Sequence, residues 1–165
     1  MGKIVIVDYG SQYTQLIARK TRDLRVFSEV VTATAKQNLE DISGLILSGG
    51  PFGVYDPRAP RIPYWVKPLI EKDVPILCIC YGFQLLTQYF GGRVDRAHSS
   101  EYGRMPIVRQ GENPLFDGID RSLTVWMSHG DSVLELPPGF AICALSENEI
   151  IASAFHVKDP IYGLQ

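Results

Sequence analysis

Cys80 stands in the run Cys78-Ile79-Cys80-Tyr81-Gly82-Phe83-Gln84, with an apolar stretch, residues 74–79, before it and a helical pattern after it. A cysteine on a tight strand-to-helix turn can act as a nucleophile, because the strained turn lifts the sulfur out of the sheet. Such an elbow demands small residues two before and two after the nucleophile, since strand and helix pass closely there. Gly82 meets that demand well and Cys78 acceptably. The helix N-terminus would also aim unpaired N–H groups at the sulfur, favouring thiolate over thiol. Taken alone, the pattern also fits a buried structural cysteine, the commoner fate of a cysteine on an apolar strand.

Two further constellations could complete a site. Gly49-Gly50-Pro51 closes an apolar run, and a glycine there lets a backbone N–H approach a substrate oxygen. The Gly50 and Tyr81 N–H groups would then form an oxyanion hole for a carboxamide that becomes tetrahedral. Ser128-His129-Gly130-Asp131 follows the apolar residues 124–127 and reads as a polar bend able to hold an amino-acid ligand. His129 is a natural candidate for a general base, but no spacing brings it to Cys80. His98, in a polar stretch, and His156, ending an apolar strand, read as surface or packing residues.

These groups need elements to position them. Residues 3–8 read as a buried strand. Ser11 reads as a cap for a helix whose stripe of Tyr13, Leu16, Ile17, Lys20 and Leu24 faces a sheet. Strands follow at 26–32 and 44–48, a helix at 64–72, a continuous apolar strand at 74–79 and a helix at 82–90 ending in Gly91-Gly92. Continuous apolar strands belong to parallel sheets buried on both faces. Beyond residue 92 the chain reads as strands at 105–108, 123–127, 140–145, 150–157 and 161–165. The expected class is α/β: an open, mostly parallel, flavodoxin-like sheet with flanking helices and a nucleophile elbow, followed by a β-rich and partly antiparallel second half.

Composition narrows the chemistry. With 165 residues, 45% apolar and 21% charged, the chain suits one soluble globular domain. A net charge of −2 with scattered basic residues argues against nucleic acid. No run approaches the roughly 20 apolar residues of a membrane span, and no leader pattern opens the chain, so a cytoplasmic protein is expected. Three cysteines, Cys78, Cys80 and Cys143, argue for thiols rather than disulfides. No second Cys/His pair at ligand spacing follows them, so no metal is expected.

In this order, the Ser48-Gly49-Gly50-Pro51 turn, the Cys80 to Gln84 elbow and the Ser128 to Asp131 turn resemble class I glutamine amidotransferases, over the whole chain. Residues 8–19 (DYGSQYTQLIAR), Gly53-Val54-Tyr55 and Trp126-Met127-Ser128-His129-Gly130-Asp131 look like the GMP-synthetase type within that class. The resemblance implies that Cys80 is the nucleophile and that Gly50 and Tyr81 donate the oxyanion N–H groups. It also implies that Gln84, Ser128, Gly130 and Asp131 hold glutamine, partly through backbone atoms. Position 78 is usually Gly and position 83 usually Met in the family; here they are Cys and Phe.

The implied function is glutamine hydrolysis that supplies ammonia to a partner, an ATP-pyrophosphatase synthetase domain or subunit that aminates XMP. ATP and Mg would belong to that partner, with no cofactor in this domain. In the family a G-L-Q like Gly163-Leu164-Gln165 continues into F-H-P-E, whose His and Glu complete the triad. By that resemblance residues 1–165 form a domain incomplete at its C-terminus, expected to fold but not to turn over glutamine alone. The competing expectation is a glutamine-binding or regulatory module without turnover.

Overall fold

The computed structural model describes residues 2–111 and 113–165, without the side chains of residues 97–99. His98, expected at the surface or in packing, therefore lies outside the described side chains.

The β-branched run at the N-terminus forms β1 (Lys3–Asp8), followed by α1 (Thr14–Asp23) and β2 (Ser28–Thr32). Next come β3 (Ile42–Leu47), α2 (Val66–Glu71), β4 (Ile76–Ile79) and α3 (Tyr81–Tyr89). Five strands close the chain: β5 (Arg93–Arg109), β6 (Ser122–Glu135), β7 (Phe140–Ser146), β8 (Ile151–His156) and β9 (Ile161–Leu164).

All nine strands join one sheet in the order β2-β1-β3-β4-β9-β8-β7-β5-β6. From β2 to β9 every pairing is parallel. From β9 to β6 every pairing is antiparallel. The expectation of a mostly parallel sheet therefore holds only for the first half, and the sheet as a whole is mixed. The reason lies in the connections. Helices or long crossovers return the chain between β1, β2, β3 and β4, as parallel pairing requires, whereas short turns join β7 to β8 and β8 to β9.

Two other expectations need correction. The apolar stripe proposed for α1 does not face the sheet: Leu16 is 48% and Leu24 77% exposed, and Tyr13 is exposed as well. The buried face carries Thr14 and Ala18, with Ile17 and Thr21 half-buried beside them. The period is helical, but small residues rather than large ones sit against β1 and β2. Ser11 does not cap α1 as its N-terminal residue either. It lies in the turn before the helix, where its Oγ accepts from the Tyr13 N–H at 3.1 Å.

The strands expected at 105–108 and 123–127 are parts of a much longer ribbon. β5 and β6 pair from Arg93 opposite Glu135 to Val108 opposite Ser122. Ser128 to Asp131, expected as a bend, lies within β6 and faces β5 across that ribbon. Polar residues in mid-strand hid the element, because alternation breaks where the strand lines a site.

The main core joins β1, β3 and β4 to the helices through Val5, Val7, Leu45, Leu47, Leu69 and Ile76, all buried. A smaller core under the ribbon gathers Ile107, Phe116, Met127, Cys143 and Ala144. All three cysteines are free thiols. No described helix is long and apolar enough to cross a membrane.

Candidate active site

The strand order reverses about β1, with β2 on one side and β3 on the other, and ligands of open α/β sheets bind beyond the carboxyl ends of strands at such a point. There the ends of β3, β4 and β9 deliver Gly49, Gly50, Cys80 and Gln165 to one cavity of about 430 Å³. A second cavity of about 300 Å³ adjoins it, sharing Gly50, Cys80, Ser128 and His129.

Cys80 has φ 49° and ψ −111°, a left-handed backbone that an L-residue adopts only at a cost of about 1–3 kcal/mol. Neighbouring bonds hold it there. The Cys80 N–H donates to the Leu164 carbonyl at 2.7 Å, and the Gly82 N–H to the Ser48 carbonyl at 3.0 Å. Strand and helix pass so closely that a Cβ on Gly82 would lie 2.4 Å from the Leu47 carbonyl oxygen. Cys78, two residues before, is wholly buried. Phe83 fits because Gly163 of β9 leaves room for its ring; a Cβ there would come within 2.2 Å of it.

Burial pushes the Cys80 thiol above its ordinary range. The Tyr81 N–H and the Gln165 side-chain amide, both directed at the sulfur, pull it back, and the Asp131 carboxylate pushes it further up. The helix N-terminus therefore does not make Cys80 a ready thiolate in the unliganded protein, contrary to the sequence-based expectation, because desolvation outweighs the N–H groups.

The structure brings Cys80, Gly50, Gln84, Ser128, Gly130 and Asp131 to the second cavity. Tyr81 contributes only its backbone there: its ring is buried against Tyr9, 5.4 Å between centroids, and its hydroxyl donates to the Pro60 carbonyl. Gly50 is packed against β1, where a Cβ would lie 2.6 Å from the Tyr9 carbonyl oxygen. Its need for glycine thus comes from the strand behind it rather than from the cavity in front. Gln84 is 3% exposed and donates through Nε2 to the Asp131 carbonyl at 2.9 Å.

His129 lines both cavities, yet neither ring nitrogen is free. Its Nε2–H donates to Glu101 Oε2 at 3.1 Å, while Nδ1 lies 3.2 Å from the Ser132 hydroxyl and 3.1 Å from the Asp131 carbonyl oxygen. His156 pairs with Asp159 at 3.1 Å and stacks on Phe90, in packing as expected. Among the described residues no cluster of three or more His, Cys, Asp or Glu could hold a metal ion.

Sequence reasoning missed Arg96, Tyr102, Glu101 and Gln165. Arg96 and Tyr102 line the second cavity, Arg96 opposite Asp131 in the ribbon register. Gln165 donates through Nε2 to Cys80 Sγ at 3.6 Å. The Glu-Tyr-Gly run at 101–103 carried no recognisable chemistry, because its partner is 28 residues away in β6.

The family model for class-I glutamine amidotransferases matches residues 5–165. A glutamine-hydrolysing GMP synthase of Thermomicrobium roseum is 47% identical over 98% of this chain, and one of Petrotoga mobilis is 43% identical over all of it. The chain spans 30% and 32% of the length of these two relatives. Among solved structures, a GMP synthase subunit of Thermoplasma acidophilum superposes with a TM-score of 0.83. It is 32% identical, with 100% of this chain and 83% of that one covered. A glutamine amidotransferase of Thermotoga maritima, at 21% identity and a TM-score of 0.82, shares the fold over 99% of this chain and 74% of its own. The elbow, the sheet and these matches agree: the chain belongs to the class-I glutamine amidotransferase family.

Proposed function

We propose that this domain hydrolyses glutamine at Cys80 and passes the ammonia to a synthetase of the GMP-forming type. The observation that carries this reading is the strained Cys80 backbone, held with its sulfur between the Tyr81 N–H and a cavity walled by Gly50, Gln84 and Asp131. A sulfur attack on the glutamine carboxamide forms a C–S bond, and the developing oxyanion is received by the Gly50 and Tyr81 N–H groups. The C–N bond then breaks, the thiol proton leaves with ammonia, and water hydrolyses the thioester to glutamate and regenerates the thiol.

The opposite wall suits the other end of the substrate. Arg96 and Asp131, a cross-strand pair, bring a guanidinium and a carboxylate to one cavity, complementary to the carboxylate and ammonium of a free α-amino acid. Ser128 and Gly130 add backbone groups beside them. Ammonia formed here would serve an ATP-pyrophosphatase synthetase domain or subunit that aminates XMP, with ATP and Mg bound by that partner. The GMP synthases to which the chain is 43–47% identical support that assignment. This domain would use no cofactor of its own.

A second reading, a glutamine-binding module without turnover, is favoured by one observation: both nitrogens of His129 are engaged. The described residues therefore set no free imidazole beside Cys80, and thioester hydrolysis needs a positioned base, typically worth about 10²–10⁴-fold. The family pattern supplies one from a His-Glu segment. Residues 1–165 should accordingly form the covalent adduct but turn over slowly.

The test is mass mapping after treatment with a glutamine-analogue chloroketone, with glutamate release measured in parallel. Cys80 should carry the adduct, and excess glutamine should protect it. Labelling confined to Cys143 would remove the nucleophile assignment, and rapid glutamate release would show that a base exists within residues 1–165.

A further inference from the structure

Glu101 is a carboxylate with no exposure at all, on a strand otherwise rich in exposed side chains. Removing a carboxylate from water costs several kcal/mol unless donors replace the water, and here three do. Ser146 Oγ donates to Oε1 at 2.6 Å, Asn148 Nδ2 to the same oxygen at 3.1 Å, and His129 Nε2 to Oε2 at 3.1 Å.

From Glu101 the contacts run on toward the sulfur. Nδ1 of His129 meets the Asp131 carbonyl oxygen, which also accepts from Gln84 Nε2 at 2.9 Å. That Nε2 lies 3.3 Å from Gln165 Oε1, and Gln165 Nε2 donates to Cys80 Sγ. One polar line thus joins a buried carboxylate on β5 to the nucleophile at the end of β4. It passes through the stretch of β6 that walls the second cavity. The ribbon register shifts between Arg96 and Glu101, so that stretch lacks a regular ladder opposite it.

We propose that Glu101 is a positioning residue for the amino-acid-holding wall of the cavity. Through His129 it fixes Ser128 to Asp131 in place of the interrupted ladder, and so sets where the substrate's α-amino acid end is received. The proposal rests on the glutaminase reading. It explains why an imidazole lines the cavity with neither nitrogen turned to the sulfur: the ring is a brace.

The experiment uses two electrophiles on the wild-type chain and on Glu101→Gln, His129→Gln and Ser146→Ala. The glutamine-analogue chloroketone reports the holding wall through its half-saturating concentration, and iodoacetamide reports the sulfur alone. Glu101→Gln and His129→Gln should each raise the chloroketone half-saturation about tenfold, the scale of one charge-assisted hydrogen bond, with iodoacetamide rates changed far less. Ser146→Ala removes a bond to the same carboxylate on the side away from His129. It should lower the melting temperature while leaving the half-saturation within about twofold of wild type. A purely structural Glu101 would lower the melting temperature in all three variants and move the half-saturation in none, and that result would overturn the proposal. Should Glu101→Gln not fold, an unmoved half-saturation in His129→Gln overturns it equally. Loss of saturable labelling in the wild-type chain is a separate result, and would strike the glutaminase reading itself.

Discussion

The two halves of the sheet divide the work differently. In the parallel half, β1, β3 and β4 are short, apolar and buried, and what they contribute to the site comes from their ends: the Gly49-Gly50 turn and Cys80. In the antiparallel half, β6 runs for 14 residues with alternating burial, and it contributes from its middle, through Ser128 to Asp131. Strand ends on a close-packed sheet hold a reacting atom rigidly, at the cost of backbone strain such as that of Cys80. A strand middle presents side chains and backbone as a wall, and needs a second layer of polar contacts, Glu101 and His129, to stay in place. The comparison teaches that attack geometry belongs to one half and substrate reception to the other.

The sharpest way to break that division is Gly50→Val. Its Cβ would meet the Tyr9 carbonyl oxygen and displace the N–H offered to the oxyanion. Labelling of Cys80 by the chloroketone should slow on the order of 10²–10³-fold, the cost of losing one oxyanion donor. A rate within threefold of wild type would take Gly50 out of the site.

Gly82→Ala tests the packing side. With a Cβ 2.4 Å from the Leu47 carbonyl, α3 must shift from β3, and overpacking of this kind costs about 1–3 kcal/mol. Calorimetry should show a melting temperature lower by roughly 4–10 °C. Gly111→Ala, with nothing within 4 Å of the added methyl, should leave it within a degree or two. Equal shifts in both would erase the contrast between close-packed elbow and open ribbon end.

Arg96→Ala probes reception alone. Losing a guanidinium that meets the substrate carboxylate should raise the half-saturating glutamine concentration in a protection assay about tenfold. The iodoacetamide rate at Cys80 should hardly change, and a shift confined to that rate would place Arg96 on the wrong side of the comparison.

The smallest expected effect joins the two halves. The Asp131 carboxylate pushes the Cys80 thiol up, so Asp131→Asn should lower its pKa and enlarge the thiolate fraction at a given pH. Alkylation by iodoacetamide at about pH 7.5 should quicken by about twofold to fivefold. In the wild-type chain the rate should keep rising as pH passes the ordinary thiol range, since burial holds the thiol above it. A plateau below about pH 8 would contradict the burial argument.

Much of the parallel half was legible in advance. Its strands are continuous apolar runs, its turns carry Gly and Pro, and the small residue after Cys80 declared how closely α3 passes β3. The stripe of α1 misled because Leu16 and Leu24 were larger than the true inward residues, Thr14 and Ala18. Size marked the wrong face where a close approach to the sheet selected small side chains. The ribbon was read as two short strands because the polar residues that line a cavity interrupt the alternation by which strands are recognised.

Local order along the chain by itself determined the elbow at Cys80, the glycine turn before it and the family to which they belong, since strand-to-turn chemistry depends on neighbours a few residues apart. Only the tertiary structure decided that Arg96 stands opposite Asp131, that Glu101 is buried against His129, and that Gln165 reaches the sulfur. Those pairings join residues 28 to 85 positions apart, and they are set by strand register and sheet order. The state of the Cys80 thiol was decided there too: the helix start is written in the local sequence, but the burial that outweighs it is a sum over the whole fold.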